Sequence, residues 1–148
     1  MIRQAVADDE PKIRECAELA YARYVALIGR KPAPMNADFA GQIGAGQVYV
    51  STTDEGDFQG FIVFYAEGEH VLLENVAVLP ASAGRGIGKA LVAFCENEAR
   101  TSGKRAVHLY TNENMEENLS IYPRLGYSEV ARRSEDGFNR VYFEKSLI

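Results

Sequence analysis

The segment from Leu72 to Phe94, LLENVAVLPASAGRGIGKALVAF, constrains the fold more than any other part of the chain. It passes from an apolar strand through a glycine-rich turn directly into an amphipathic helix. Gly84, Gly86 and Gly88 remove side chains where the backbone must bend and can approach a ligand. The first N–H groups of the helix have no intrahelical partner and lie at the positive end of its dipole. We therefore expect this turn to bind a phosphate or pyrophosphate group.

Residue spacing separates this turn from two common nucleotide-binding loops. In a P-loop, Ser or Thr follows the Gly-Lys pair, but Ala90 follows Gly88-Lys89. A P-loop also has a glycine five positions before that pair, where this chain has Ala83. A Rossmann fingerprint requires a third glycine, and Lys89 or Leu91 stands at its place. A glycine turn that only reverses the chain remains an alternative.

The composition is that of a globular protein that folds in water. The chain has 148 residues, of which 47% are hydrophobic and 25% charged, so we expect a single domain over residues 1–148. The N-terminal stretch MIRQAVADDEP lacks the apolar core of a signal peptide. No stretch approaches the roughly 18 apolar residues of a membrane span. We therefore expect a cytoplasmic protein without a membrane partner.

Charge and cysteine content narrow the class of partner. A formal net charge of −5 opposes sequence-independent binding to nucleic acid, which depends on Lys and Arg neutralising phosphates. A neutral or cationic small molecule is the more suitable partner. Cys16 and Cys95 have no CxxC or Cys/His neighbour, so we expect buried thiols and no metal site. His70 and His108 have no carboxylate or Cys at a useful spacing, and we expect both to be structural.

Hydrophobic periodicity and turn residues predict seven strands and four helices. The predicted strands are Ile2–Val6, Gln47–Thr53, Phe58–Ala66, His70–Leu79, Ala106–Tyr110, Tyr127–Arg133 and Val141–Lys145, the last two joined by Glu135, Asp136 and Gly137. The predicted helices extend from Asp8 or Asp9, as N-cap, to Gly29, over Phe39–Ile43, from Ile87 to about Ser102, and over Met115–Tyr122, where Pro123 limits the helix. Pro32 and Pro34 exclude a helix from Arg30 to Asn36. This order predicts an α/β arrangement around one mixed sheet.

The glycine turn resembles the acetyl-CoA loop of the GNAT superfamily of N-acetyltransferases, Q/R-x-x-G-x-G/A after a strand that ends in a V-x-V-like run. The matching residues are Ala83 to Gly88, with Ala83 at the usual place of Gln or Arg. The segment NLSIYPRLGY, from Asn118 to Tyr127, is similar to the family's late helix and its Tyr-x-x-x-Gly-aromatic signature. The resemblance extends over nearly the whole chain. It implies a mostly antiparallel sheet of about seven strands flanked by about four helices.

The resemblance also implies an activity and the residues that carry it. A primary amine would attack the acetyl group of acetyl-CoA directly, through a tetrahedral intermediate. Tyr122 matches the tyrosine that protonates the leaving thiolate; the alternative is a core aromatic residue. Glu74, an ionisable residue in an apolar strand, is the candidate base; the alternatives are water as base and an outward-facing or paired carboxylate. The residues expected to bind the cofactor are Val76, Ala77, Val78, Ala83, Gly84, Arg85, Gly86, Ile87, Gly88, Lys89 and Asn118.

The sequence does not identify the acceptor amine. We expect a small-molecule or peptide amine to bind near the first helix and the loop after it, at Tyr21, Tyr24, Arg30, Lys31 and Met35. An exposed strand of the C-terminal pair could join the sheet of a second copy in a homodimer. Two other hypotheses remain: a catalytically inactive CoA-binding regulatory module, and an α/β scaffold without a nucleotide site.

Overall fold

Seven strands form one sheet in the computed structural model, which describes residues 1–31, 35 and 37–148. The strands are β1 (Ile2–Gln4), β2 (Val48–Thr52), β3 (Phe58–Glu67), β4 (His70–Val78), β5 (Ala106–Asn112), β6 (Ser128–Glu135) and β7 (Phe138–Ser146). The α-helices among the described residues are α1 (Glu10–Ile28), α2 (Phe39–Gly44), α3 (Ile87–Thr101) and α4 (Glu116–Arg124). The predicted sheet and its four helices are confirmed.

The sheet is mixed, in the order β1-β2-β3-β4-β5-β7-β6. Only the central pair, β4 with β5, is parallel, and every other neighbouring pair is antiparallel. The parallel pairing extends only from His70 to Leu73, opposite Ala106 to Leu109. Both strands continue beyond this point, so they diverge and open a cleft in the middle of the sheet.

A β-bulge marks the point where the two strands diverge. Val63 of β3 pairs with Asn75, and Phe64 pairs with Leu73, so Glu74 is the extra residue on β4. A bulge bends its strand and redirects a side chain. The bulge therefore turns the end of β4 away from β5.

Helices cover both faces of the sheet. The core on one face joins α1 and α2 to β2 and β3, with Ile13, Phe39 and Phe61 fully buried. The core on the other face places Leu91 of α3 and Tyr122 of α4 against β4, β5 and β7. Cys16 and Cys95 are buried free thiols, as predicted, and burial raises the pKa of each to about 12. Among the described residues, no helix combines the length and the hydropathy of a membrane span.

The start of α1 differs from the prediction. Asp9 is the residue before the helix, but its carboxylate does not cap it. The carboxylate instead accepts hydrogen bonds of 2.8 Å from the backbone N–H of Val6 and 2.8 Å from the Arg3 guanidinium. The hydrogen bond from Arg3 lowers the pKa of Asp9 below its usual value. Strand β1 ends at Gln4 rather than at Val6 because a 3₁₀ turn from Ala7 to Asp9 follows.

Two C-terminal boundaries also differ from the prediction. Helix α4 begins at Glu116 and includes Pro123, because that proline lies in the last turn, where it removes only one late N–H donor. Strand β7 begins at Phe138 rather than at Val141. Asp136 and Gly137, at φ 51° and 78°, form a two-residue turn that lets Phe138 pair with Glu135.

Candidate active site

The edge of β4 lines the cleft with backbone groups. The Leu79 N–H donates to Gln59 O at 2.9 Å, which orients that residue toward the side of β3. Because backbone groups alternate in direction along a strand, Val76 and Val78 direct theirs away from β3 and into the cleft. The Tyr21 hydroxyl confirms this direction, since it donates to Val76 O at 3.0 Å from α1.

The cleft has a volume of about 430 Å³ between the edge of β4 and helices α3 and α4. Its lining includes predicted cofactor-binding residues from three separate segments of the chain, which are β4, α3 and α4. The lining residues are Val76, Ala77, Val78, Gly88, Lys89, Val92, Asn118, Ile121, Tyr122, Arg124 and Leu125. The cleft is mainly apolar and its lining includes the cations Lys89 and Arg124, which suits a ligand that has both apolar and anionic parts.

The glycine turn leads from β4 into α3 at one end of the cleft. Gly84 and Gly86 have φ angles of 80° and 76°, in the left-handed region that favours glycine. Gly86 is the N-cap of α3, and a Cβ atom at either glycine would have no heavy atom within 4 Å. The turn therefore leaves open space beside the first N–H groups of α3, where an anion can bind.

The other residues of the predicted turn have different surroundings. Arg85 and Lys89 are exposed, so their charges lie at the surface beside the turn. The side chain of Ile87 is buried in the core, which leaves only its backbone available to a ligand. Ala83 is exposed and lines a second groove, on the α1 side of β4.

Tyr122 borders the cleft from α4. Its side chain is only 8% exposed, and burial raises the pKa of its hydroxyl to about 12. Its ring packs edge-on against Tyr127, with the ring centroids 5.9 Å apart. At the C-terminal end of α4, Lys145 Nζ donates hydrogen bonds to Leu125 O and to the buried Glu96 carboxylate, each at 2.9 Å. Tyr122 thus has a packed ring and a buried hydroxyl group that stays protonated at neutral pH.

Glu74 projects from the bulge into a smaller cavity of about 40 Å³, at the point where β4 and β5 diverge. Tyr65 donates to its Oε1 at 3.3 Å, and the Gln42 side-chain amide donates to its Oε2. Sequence reasoning missed Gln42, which lies on α2 and 32 residues away in the chain. The Oε1 of Gln42 is buried and has no hydrogen-bond partner among the described residues. Tyr122 lines the same cavity, so the structure brings both predicted catalytic residues to it.

Asn118 lies where the cleft, the cavity and the groove meet. Its amide nitrogen donates to Thr111 Oγ1 at 3.1 Å and contacts the sulfur of Met115 at 3.6 Å. These contacts orient the side chain across the opening between β4 and β5.

Of the five residues predicted to contact the acceptor, two line the groove on the α1 side of β4 and three do not. Tyr21 and Tyr24 line the groove of about 530 Å³ on the α1 side of β4. Arg30 follows α1 and lies over the ring of Phe138, at 3.7 Å from the ring centroid. Lys31 is exposed, whereas Met35 is buried in the core beside α1. Residues 32–34 and 36 of the predicted loop lie outside the described residues.

Each of the two histidines lies close to a carboxylate, which the spacing of residues in the sequence did not predict. His70 Nε2 lies 3.2 Å from Glu67, and His108 Nε2 lies 3.2 Å from Glu144. The two rings stack with their centroids 3.8 Å apart. The expectation of no useful carboxylate was wrong, because strand pairing brings Glu144 opposite His108. Across the described ranges, no group of three or more His, Cys, Asp or Glu side chains is placed to hold a metal ion.

Comparison with known proteins gave one family match. The model of the acetyltransferase (GNAT) family matches residues 13–127. Comparison with curated protein sequences gave no match.

Several solved structures are similar to this chain. The PaiA N-acetyltransferase of Thermoplasma acidophilum, solved in complex with coenzyme A, is 18% identical with a TM-score of 0.81, over 99% of this chain and 98% of that one. The ribosomal-protein-S18-alanine N-acetyltransferase of Escherichia coli is 19% identical with a TM-score of 0.78, over 99% and 93%. Nourseothricin acetyltransferase is 24% identical with a TM-score of 0.63, and the match covers 68% of this chain but only 65% of that protein. At these identities the similarity shows a shared fold.

Proposed function

The chain belongs to the GNAT acetyltransferase family, and from this premise we propose that it transfers the acetyl group of acetyl-CoA to a primary amine. The observation that carries the proposal is the cleft between the edge of β4 and helices α3 and α4. Val76 and Val78 direct backbone groups into this cleft, and the pantetheine arm of CoA has amides that can pair with a strand edge. The bound coenzyme A in the similar PaiA structure supports the same ligand here.

The glycine turn is the proposed pyrophosphate site. The N–H groups at the start of α3 would bind the phosphate oxygens, with the positive end of the helix dipole behind them. Gly84 and Gly86 leave the space that the anion needs. Arg85 and Lys89 would add positive charge from the surface. Because Ala83 has no polar side chain, the backbone would do most of the binding.

In the proposed reaction, the neutral amine nitrogen attacks the acetyl carbonyl carbon to form a tetrahedral intermediate. Collapse of the intermediate breaks the carbon–sulfur bond, and the sulfur takes up a proton from the Tyr122 hydroxyl. The pKa of Tyr122, raised to about 12 by burial, keeps this proton available at neutral pH. Glu74, directly or through water, accepts the proton that the amine loses, and Tyr122 regains a proton from water before the next turnover.

A calorimetric titration with acetyl-CoA, followed by an amine panel, tests the proposal. The panel contains amino acids, polyamines, lysine and peptides with free N-termini. We expect acetyl-CoA to bind and free CoA to appear only when a suitable amine is present. Binding without turnover across the panel would favour a CoA-binding regulatory module. A titration without heat would favour a scaffold that has no nucleotide site.

A further inference from the structure

The small cavity beside Glu74 carries one charge of each sign. Glu74 and Arg140 are the charged residues that line it within the described part of the chain. Glu74 belongs to β4, and Arg140 to β7, where it pairs with Asn112 of β5. A cavity with an acid on one wall and a guanidinium on another is complementary to a ligand that carries both an ammonium and an anionic group.

The surroundings of Arg140 hold its guanidinium in place. The side chain is only 13% exposed. The guanidinium carbon lies 4.6 Å from the centroid of the Tyr110 ring and 5.6 Å from that of Phe138, so two aromatic rings pack against the guanidinium. A preorganised guanidinium can donate two parallel hydrogen bonds to a carboxylate.

Arg140 forms ion pairs with two carboxylates of the protein at distances longer than a hydrogen bond. Arg140 Nη1 lies 3.6 Å from Glu135 and 3.9 Å from Asp136, beyond the 2.7 to 3.2 Å range of N–H···O hydrogen bonds. Glu135 also accepts a hydrogen bond from the Tyr142 hydroxyl. Neither Glu135 nor Asp136 lines the cavity, so a ligand carboxylate would approach Arg140 from a different side.

We propose that the acceptor is a small amine that carries a carboxylate, as a free amino acid does, with its amine toward Glu74 and its carboxylate on Arg140. This inference rests on the proposed acetyl transfer and names the acceptor class for the same site. Arg140 is the specificity-determining residue, because it would bind the end of the acceptor that does not react.

The dimensions of the site favour this class over longer amines. The cavity of about 40 Å³ holds on the order of three water molecules, which is the scale of a compact polar group. Glu74 and Arg140 lie on strands that are separated by β5, in the region where β4 and β5 diverge, and their long side chains reach the same cavity from opposite sides of that gap. A polyamine would bring a second ammonium toward Arg140, which is unfavourable.

Matched acceptors test the inference. Free amino acids are assayed beside their amides and their decarboxylated amines, with kcat/KM corrected for the neutral amine fraction at the assay pH. We expect the wild-type protein to prefer the acids over both analogues by at least tenfold. In Arg140→Gln we expect this preference to fall roughly 10- to 100-fold, mainly through KM of the acids, since charge-assisted hydrogen bonds are lost. In Arg140→Lys we expect part of the preference to remain.

Arg133→Gln is the matched control. Arg133 lies on β6 with its guanidinium carbon 4.7 Å from the centroid of the Tyr142 ring, a similar arginine-over-tyrosine contact. It pairs with Arg140 across β6 and β7 but does not line the cavity, so we expect the preference to remain intact in this variant. Thermal unfolding of each variant establishes that the protein is folded.

Three results would overturn the inference: equal use of acids and amides, retention of the preference in Arg140→Gln, or an equal loss in Arg133→Gln. If simple amines or peptide N-termini are acetylated and acids are not, the acetyl transfer stands and the acceptor class is wrong. If no amine is acetylated, the anion site is tested by calorimetry. This experiment measures the binding of N-acetyl amino acids to the CoA-loaded protein. Binding that Arg140→Gln abolishes supports the anion site, and absence of binding refutes it.

Discussion

The hydroxyl of Tyr21 donates a hydrogen bond of 3.0 Å to the carbonyl oxygen of Val76. The same hydroxyl lies 2.9 Å from Asn75 Oδ1. Helix α1 is thereby attached to the part of β4 that has left β5. This contact fixes one wall of the cleft, and Tyr21 also lines the cavity beside Glu74 in which we propose that the acceptor binds.

We expect Tyr21→Phe to lower the free energy of unfolding by about 1 to 3 kcal/mol, because a buried hydrogen-bond donor is lost while the ring remains. Urea unfolding measures the change. Tyr24→Phe is the matched control on the same helix, since among the described residues the Tyr24 hydroxyl accepts a hydrogen bond only from the exposed Arg23, at 3.0 Å. An equal loss of stability in both variants would contradict the special role of the Tyr21 contact.

The role of the glycine turn in binding acetyl-CoA can be separated from the backbone strain that a substitution in the turn causes. We expect Gly86→Ala to cost about 1 to 2 kcal/mol of stability, because alanine is strained at a φ of 76°. We also expect acetyl-CoA affinity to fall at least tenfold, because the new methyl group would occupy the proposed pyrophosphate space. Unfolding curves and calorimetric titration measure the two effects.

Gly103→Ala is the control for this variant. Gly103 has a φ of 75° and no heavy atom within 4 Å of its Cβ position, but it follows the opposite end of α3. It should lose similar stability and keep its affinity for acetyl-CoA. If both variants lose affinity alike, the turn before α3 is not the pyrophosphate site.

Removing the Tyr122 hydroxyl should affect the chemical step and spare binding. We expect Tyr122→Phe to lower kcat roughly 100-fold, the scale of general acid catalysis, with an unchanged Kd for acetyl-CoA. Because burial raises the pKa of Tyr122 to about 12, loss of its proton should not slow the wild-type enzyme between pH 7 and about 10. Steady-state kinetics across this pH range provide the measurement.

Tyr49→Phe is the control for loss of a tyrosine hydroxyl. The Tyr49 ring stacks on Phe64 with the centroids 5.2 Å apart, outside the lining of the cleft. Its turnover should match that of the wild type. Full activity of Tyr122→Phe would exclude Tyr122 as the proton donor.

Replacing Glu74 should make the reaction depend more strongly on the protonation of the acceptor. We expect Glu74→Gln to lower kcat/KM at neutral pH at least tenfold, because the ammonium form of the acceptor loses its proton acceptor. The deficit should shrink as the pH rises toward the pKa of the amine, near 10. A deficit that stays constant with pH would indicate that Glu74 only shapes the cavity.

The local parts of the site could be predicted from the sequence. The Gly84–Gly88 turn lies between a strand and a helix, so its place and its open backbone follow from chain order. Val76 lies at a strand end next to that turn, so its position at the cleft follows in the same way. These features depend on neighbouring residues, and periodicity and glycine content are sufficient to find them.

The parts of the candidate site that the sequence did not indicate depend on contacts between residues that are far apart in the chain. Gln42 donates to Glu74 only because α2 packs beside the bulge. Arg140 reaches the cavity because β7 lies next to β5, whereas β6 is at the sheet edge. No local pattern marks either residue, since each depends on the order of the strands and on the packing of a helix against them.

The central claim is that this chain moves an acetyl group from acetyl-CoA to an amine nitrogen. The most direct measurement uses acetyl-CoA with an isotopically labelled acetyl group, and follows thiol release and the label in each amine of the panel by mass spectrometry. We predict that CoA is released only with an amine and that the label appears on its nitrogen in equal amount. Bound acetyl-CoA that gives no labelled amine, or label released as free acetate, would contradict the claim.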